Sequence, residues 1–279
     1  MSERPGGKAV NVARVLHRLG DPTRLVAPAG GGTGDQLRDG LAAAGLAATL
    51  VRSGHPTRRT VTVVERDGAH PTTLVEPASL DCWPALVEAV EAGLEGADVL
   101  VIGGSVPDGV PEGGLGALVS AGRRRSLPVL VDTHGPPLLA ALDAGATVVK
   151  PNAHELGAIT GDDDAVRGAR ALARSSGATV VASLGEDGIV AANPAGVWEA
   201  RPASVLVGNP TGAGDALVAG LARGLLRDPL AAGSPGRMLH DAVALSAAAV
   251  LSPEAGDVDP AHHAAQLPGV VVRARDGVR

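Results

Sequence analysis

Short runs of Val, Leu, Ile and Ala recur along the chain, each followed by a small-residue or polar motif and then by apolar positions at helical spacing. "TRLVAPAGGGTG" (23–34) leads into "DQLRDGLAAAGL" (35–46), and "ADVLVIGGSVPDG" (97–109) into "GGLGALVSAGRRR" (113–125). "LPVLVDTHG" (127–135) precedes "PPLLAALDAG" (136–145), "ATVVKPNAHE" (146–155) opens "LGAITG", and "ATVVASLGEDG" (178–188) follows "AVRGARALARSSG". Continuous apolar runs suit strands buried on both faces, and strands alternating with helices predict an α/β fold with a mostly parallel sheet. Ligands bind such sheets beyond the carboxyl ends of the strands. That edge carries Gly104-Ser105, Asp132, Lys150-Pro151-Asn152 and Ser183-Leu184-Gly185.

Two stretches depart from the pattern. "TRRTVTVVERDGAHPTTLVEPA" (57–78) alternates Val and Thr with charge around an Arg66-Asp67-Gly68 turn, which predicts a half-exposed β-hairpin acting as a flap. "GIVAANPAGVWEARPASVLVG" (188–208) predicts an antiparallel meander at the sheet edge, and "RDPLAAGSPGR" (227–237) a connection between two late helices. No solenoid-type repeat is present.

Composition narrows the function. The 279 residues hold no Phe and no Tyr, only Trp83 and Trp198, so the core is built from Ala, Val and Leu. A net charge of −6 and so few aromatics argue against a nucleic-acid surface. Arg123-Arg124-Arg125 reads as a solvated helix end. Cys82 is the only cysteine, which excludes an internal disulfide and a thiolate cluster. The N-terminus has no apolar signal core and no window resembles a membrane span, so a soluble, cytoplasmic protein is expected.

In "NPTGAGDALVAG" (209–220), Gly212, Ala213 and Gly214 stand before Asp215 at a predicted helix start. Small residues there let backbone N–H groups converge on an anion. A carboxylate beside such a site suits a general base that deprotonates a hydroxyl as it attacks a phosphoryl group. From these residues alone an N-cap is the simpler account. In "VVKPNAHE", Asn152 and Glu155 sit three apart, spaced either for a hydrated Mg²⁺ or for a capping box, and alone the box is favoured. In "PGGKAVNVARVLHRLG", Gly6 and Gly7 permit close backbone approach, Lys8 supplies a cation and Asn11 follows one turn later, a cradle for a sugar phosphate. Neither the phosphate-loop nor the dinucleotide glycine signature is present. Asp162-Asp163-Asp164 reads as a solvated loop and helix start, and His262-His263 as surface.

Taken in order, these pieces resemble the ribokinase-like (PfkB) carbohydrate kinases, in particular the branch of 1-phosphofructokinase and tagatose-6-phosphate kinase. The resemblance runs almost end to end, through "PGGKAVNVARVLHRLG", "TRRTVTVV", "GGSVPDGVP", "VLVDTHG", "VVKPNAHEL", "VVASLGEDG" and "NPTGAGDALVAG". It implies a single ribokinase-like domain over 1–279, a three-layer αβα fold, and a small β lid within 52–78. It implies ATP- and Mg²⁺-dependent phosphorylation of a sugar phosphate, with fructose 1-phosphate first and tagatose 6-phosphate or another sugar as alternatives. Asp215 matches the catalytic base, and Gly212, Ala213 and Gly214 the anion hole. Asn152 and Glu155 match the residues that organise magnesium through water. Ser183, Gly185 and Lys150 fall on the nucleotide side, and Gly7, Lys8, Asn11 and Arg58 on the sugar-phosphate side. The resemblance also implies a homodimer through the lid. Family members carry a first strand and lid segment ahead of the Gly-Gly-Lys motif, whereas residues 1–5 alone precede Gly6 here, so an incomplete lid and an open sheet position are expected. A binding or regulatory relative without turnover is the contrasting reading. "VDTHG" has His134 where Ser is common, and "EPAS" (76–79) departs from Glu-Pro-Gly-Pro.

Overall fold

A computed structural model describes residues 3–63, 72–227, 235–252, 254 and 256–275. In chain order the elements are α1 (Lys8–Arg18), β1 (Leu25–Ala29), α2 (Gly31–Ala43), β2 (Ala48–Arg52), β3 (Thr60–Val63), β4 (Thr72–Val75), α3 (Trp83–Gly93) and β5 (Leu100–Gly103). Then come α4 (Gly114–Arg124), β6 (Val129–Asp132), α5 (Pro136–Asp143), β7 (Val148–Val149), α6 (Ala153–Thr160), α7 (Ala165–Ser176) and β8 (Thr179–Ser183). The chain closes with β9 (Ile189–Asn193), β10 (Gly196–Arg201), α8 (Ala213–Arg227), α9 (Gly236–Val250), α10 (Pro260–Gln266) and β11 (Val271–Ala274).

A seven-stranded sheet has the order β11-β10-β9-β8-β7-β6-β5. Strands β5 to β8 pair in parallel, and β8, β9, β10 and β11 pair antiparallel in succession, so β10 shares the direction of the parallel four and five of the seven strands run one way. The apolar runs explain why this sheet sits between two helical layers. Leu130, Val148, Val181, Ile189 and Ala191 face a cluster with α1, α8 and α9, while their neighbours Val129, Val131, Val149, Val180 and Val190 face a second cluster with α4, α5 and α7. Successive strand residues point to opposite faces, so a continuous aliphatic run fills both cores. The expected αβα architecture is therefore present.

Helices α8 and α9 pack backbone against backbone. A Cβ on Gly220 would stand 2.4 Å from Ala242 Cα, and one on Gly224 2.4 Å from Met238 Cα. Gly220→Ala should cost about 1–3 kcal/mol despite the better helix propensity of Ala, because overpacking must push the two helices apart. Urea unfolding of both proteins checks this, and an unchanged midpoint would show that α9 yields freely.

Strands β1 and β2 form a separate parallel pair with no hydrogen bond to β5, and β1 and β5 line one cleft of about 2050 Å³. Trp83, at the start of α3, forms part of the same wall. The flap is a second separate pair, antiparallel with Thr60 opposite Val75, whose Val61, Val63, Leu74 and Val75 are exposed. The expected Arg66-Asp67-Gly68 turn lies outside the described residues. The glycines of "GGGTG", read as a small-residue motif ahead of a helix, enter the first turn of α2. Arg123 and Arg124 close α4 on the solvent side, as expected. Asp164 caps α7 and Asp162 pairs with Arg167, matching the solvated-loop expectation. One expectation is corrected. His263 is buried, because α10 docks on α9 and its Nε2 lies 2.9 Å from Asp241 Oδ1. Arg223 of α8 reaches the same Asp241 at 3.2 Å and Asp21 at 2.7 Å, so three helices and the α1–β1 loop meet on one charged cluster. Among the described residues no helix is long and apolar enough to cross a membrane.

Candidate active site

Gly212 has φ +88, a left-handed value open to glycine, and it turns the chain into α8 so that Ala213, Gly214 and Asp215 form the first turn. The first amides of a helix have no intrahelical partner and carry the positive end of its dipole. Of the three expected donors, the Ala213 N–H is engaged with Pro210 O at 3.2 Å. Asp215 is 8 % exposed, so burial pushes its carboxyl up, to about 6. The Asn11 hydrogen bond opposes that rise, the Asp132 charge adds to it, and Lys8 and Lys150 counter it. A carboxyl with that value is ionised at neutral pH yet basic enough to accept a hydroxyl proton.

Asp132, at the end of β6, is 1 % exposed and gathers two cations from different elements. Its Oδ1 accepts from Lys8 Nζ at 2.9 Å and lies 3.4 Å from Lys150 Nζ. Burial lowers the Lys8 ammonium, but the adjacent Asp132 and the more distant Glu155 and Asp215 outweigh it and the net shift is upward. Lys150 follows β7, and its Nζ would lie 3.9 Å from a Cβ on Gly214. Parallel strand order thus brings α1, β6, β7 and the α8 N-terminus to one point.

Gly7, Lys8, Asn11 and Arg58 all line the cleft beneath the flap. Arg58 Nη2 donates to Ser105 Oγ at 2.8 Å, which ties the flap to the end of β5. Asp215 stands behind the cleft wall, joined to it through Asn11, whose Nδ2 donates to Asp215 Oδ2 at 2.7 Å.

Asn152 and Glu155 form the capping box at the start of α6. Asn152 Oδ1 accepts the Glu155 N–H at 2.7 Å, and Glu155 Oε2 accepts the Asn152 N–H at 2.9 Å. The simpler of their two readings is therefore realised, and it holds the Glu155 carboxylate at a fixed place near Lys8. Ser183 bridges to Asn152 through its strand end, with Ser183 N–H donating to Pro151 O at 3.1 Å. Gly185 (φ +66) begins the tight turn that follows. These residues, expected on the nucleotide side, lie outside the walls of the cleft, and the Lys150–Asp132–Lys8 contacts connect them to it. Two participants were not given roles from sequence: Asp132, seen only as a strand-end position, and Ser105. Their shared signal was a polar residue ending an apolar run.

The pattern that describes pfkB family carbohydrate kinases matches residues 1–262. The ATP-dependent 6-phosphofructokinase isozyme 2 of Escherichia coli K12 is 35% identical over 224 residues, 77% of this chain and 72% of that protein. The 1-phosphofructokinase of the same organism is 32% identical over 275 residues, 94% and 85% of the two chains. Among solved structures, phosphofructokinase-2 from Escherichia coli in complex with potassium superposes with TM-score 0.84 at 30% identity, covering 94% of this chain and 87% of that one. A possible 1-phosphofructokinase from Thermotoga maritima shares the fold, with TM-score 0.85 at 24% identity over 99% and 89% of the chains. With a cleft that gathers Lys8, Asn11 and Arg58, a buried carboxylate at a helix N-terminus and this kinship together, the chain belongs to the pfkB family of carbohydrate kinases and is a phosphotransferase acting on a sugar hydroxyl.

Proposed function

We propose that this kinase transfers the γ-phosphoryl group of ATP to fructose 1-phosphate, yielding fructose 1,6-bisphosphate and ADP. The observation that carries the reading is Asp215, buried at the N-terminus of α8 beside two lysines that share Asp132. The substrate hydroxyl loses its proton to Asp215, its oxygen attacks phosphorus in line, and the P–O bond to ADP breaks. Lys8 and Arg58 hold the phosphate already on the sugar, and Lys150 with the amides of Gly212 and Gly214 faces the transferred group, the Ala213 N–H being turned to Pro210 O. Gly7 and Asn11 complete the sugar side, Ser183 and Gly185 the nucleotide side.

The residues present fit magnesium. The donors are oxygens only, Glu155 has Oε1 outside its capping bond, and among the described residues no group of three ligands forms a closed cage. That suits an ion that keeps its waters and binds chiefly to phosphates. Glu155 and Asn152 would hold it through water, and it would neutralise charge developing on the phosphates. The use of ATP as donor supports a cytoplasmic enzyme. The exposed Val61, Val63, Leu74 and Val75 of the lid support pairing of two copies.

ADP release measured with fructose 1-phosphate, fructose 6-phosphate and tagatose 6-phosphate in parallel tests the substrate. Fastest turnover with fructose 6-phosphate would instead favour the activity named for the 35% identical relative. Nucleotide binding with no turnover on any sugar would favour a regulatory protein. Arg58→Ala should raise KM for the sugar phosphate about 10- to 100-fold with kcat little changed, since a charge-assisted contact to phosphate is lost. An unchanged KM would remove Arg58 from the site.

A further inference from the structure

We infer that Arg59 is a positioning residue for Arg58, clamping to α2 the segment from which Arg58 reaches into the cleft. This inference rests on the reading of Arg58 as a ligand of the sugar's phosphate. Packing within the chain does not hold that segment. Residues 58–63 and 72–77 are exposed, and none of the described side chains of β3 and β4 enters a hydrophobic core. A strand pair without a buried face depends on the polar contacts at its base.

Those contacts converge on α2. The Thr57 N–H donates to Gly30 O at 2.9 Å, and Thr57 Oγ1 accepts from the Gly30 N–H at 3.1 Å, at the residue that precedes α2. The approach there is close, since a Cβ on Gly30 would stand 2.1 Å from His55 O and 2.4 Å from Ser53 O. Two residues on, Arg59 Nη2 donates to Gln36 Oε1 at 3.0 Å, and Arg59 Nε lies 3.3 Å from Glu3 Oε1. Gln36 stands beside Leu37, which with Leu41 fixes α2 in one core cluster with Leu25 and Ala29 of β1. The backbone of Arg59 is held as well. Its N–H donates to Glu76 Oε2 at 2.7 Å, and its carbonyl accepts the Glu76 N–H at 3.1 Å, closing the base of the flap. Arg58 is thus bracketed by two residues tied to one helix, while its own guanidinium parts from them and reaches Ser105. Two adjacent arginines have the same chemistry, and the clamp on the second directs the first to the sugar side.

Steady-state kinetics with the sugar phosphate that is turned over fastest tests this. Arg59→Met should raise KM for the sugar about 3- to 10-fold with kcat within about twofold, because the phosphate ligand is less often held in its productive place. Gln36→Leu, which leaves Arg59 intact, should raise KM about two- to fivefold for the same reason. The urea midpoint of both variants should match wild type, since these side chains are exposed. The deciding comparison is with Arg58→Ala. A residue that acts through Arg58 has nothing to position in that background, so adding Arg59→Met should change KM less than about twofold. Losses that multiply would make Arg59 a phosphate ligand in its own right and overturn the inference. An unchanged KM in both Arg59→Met and Gln36→Leu would overturn it too, as would a lowered midpoint with kcat and KM impaired together. If Arg58→Ala itself leaves KM unchanged, the reading beneath has failed.

Discussion

Asp215→Asn should lower kcat by about 10²- to 10⁴-fold while nucleotide affinity stays within about threefold. The amide keeps the shape of the side chain and can still meet Asn11, but it cannot take a proton. The pH dependence has a defined sign. A base with a pKa of about 6 is ionised above that value, so wild-type kcat should level off above pH 7 and fall about tenfold per unit well below pH 6. Stability should move the other way. The folded carboxyl titrates above its ordinary value, so the folded state binds the extra proton and ionisation between those values weakens the fold. Asp215→Asn removes that burden, and its unfolding midpoint at pH 8 should equal or exceed that of wild type. Retention of more than a tenth of the activity together with a lower midpoint would identify Asp215 as a first-turn carboxylate facing the helix dipole and nothing more.

Arg223→Met should cost about 3–5 kcal/mol, because it strips one partner from a buried ion cluster and leaves Asp241 without its closest guanidinium. Asp241 is pushed up by burial, yet the His263 hydrogen bond and the Arg223 charge outweigh this and hold its carboxyl below the ordinary value. Such a group contributes stability that is present above the ordinary carboxylate range and is lost as pH falls through the lowered value. The gap between variant and wild type in urea should therefore be full at pH 7 and shrink in strong acid. Activity per folded molecule should survive, since Arg223 lies eight residues along α8 from Asp215, about 12 Å at 1.5 Å per residue. A gap of under about 1 kcal/mol at pH 7 would show that Met packs as well there as the ion pair does.

The strands that carry the site were legible because their sequence does one thing. Val129, Leu130 and Val131 are each wholly buried, as a short strand covered on both faces requires. The polar residue ending each run then marks the ligand edge, which is how Asp132, Lys150 and Ser183 could be placed. What could not be read was long-range pairing. Asn11 and Asp215 are 204 positions apart, and nothing local to either residue signals the other. His263 misled because "PAHHAAQ" has no apolar stripe, and its burial comes from the docking of α10 on α9, where its Nε2 meets Asp241 Oδ1. Strand β11 was missed for a related reason, since Val271–Ala274 is short and half-exposed, defined by its register with β10. Asn152 and Glu155 carried two meanings at one spacing, and the fold uses the pair as a cap while keeping the carboxylate beside the charged site.

The position of Trp83 in the cleft wall gives the protein a built-in optical reporter. With no tyrosine in the chain, ultraviolet emission comes from two indoles alone. Trp198 lies on β10, paired with Ala274 and Ala191 and far along the sheet order from β5, so it senses the state of the fold. Trp83 borders the cavity shared by Lys8 and Arg58, so it senses what enters there. Trp198→Leu would leave a single fluorophore on the cleft, and a titration with sugar phosphate could then be followed on unlabelled enzyme, one binding site at a time.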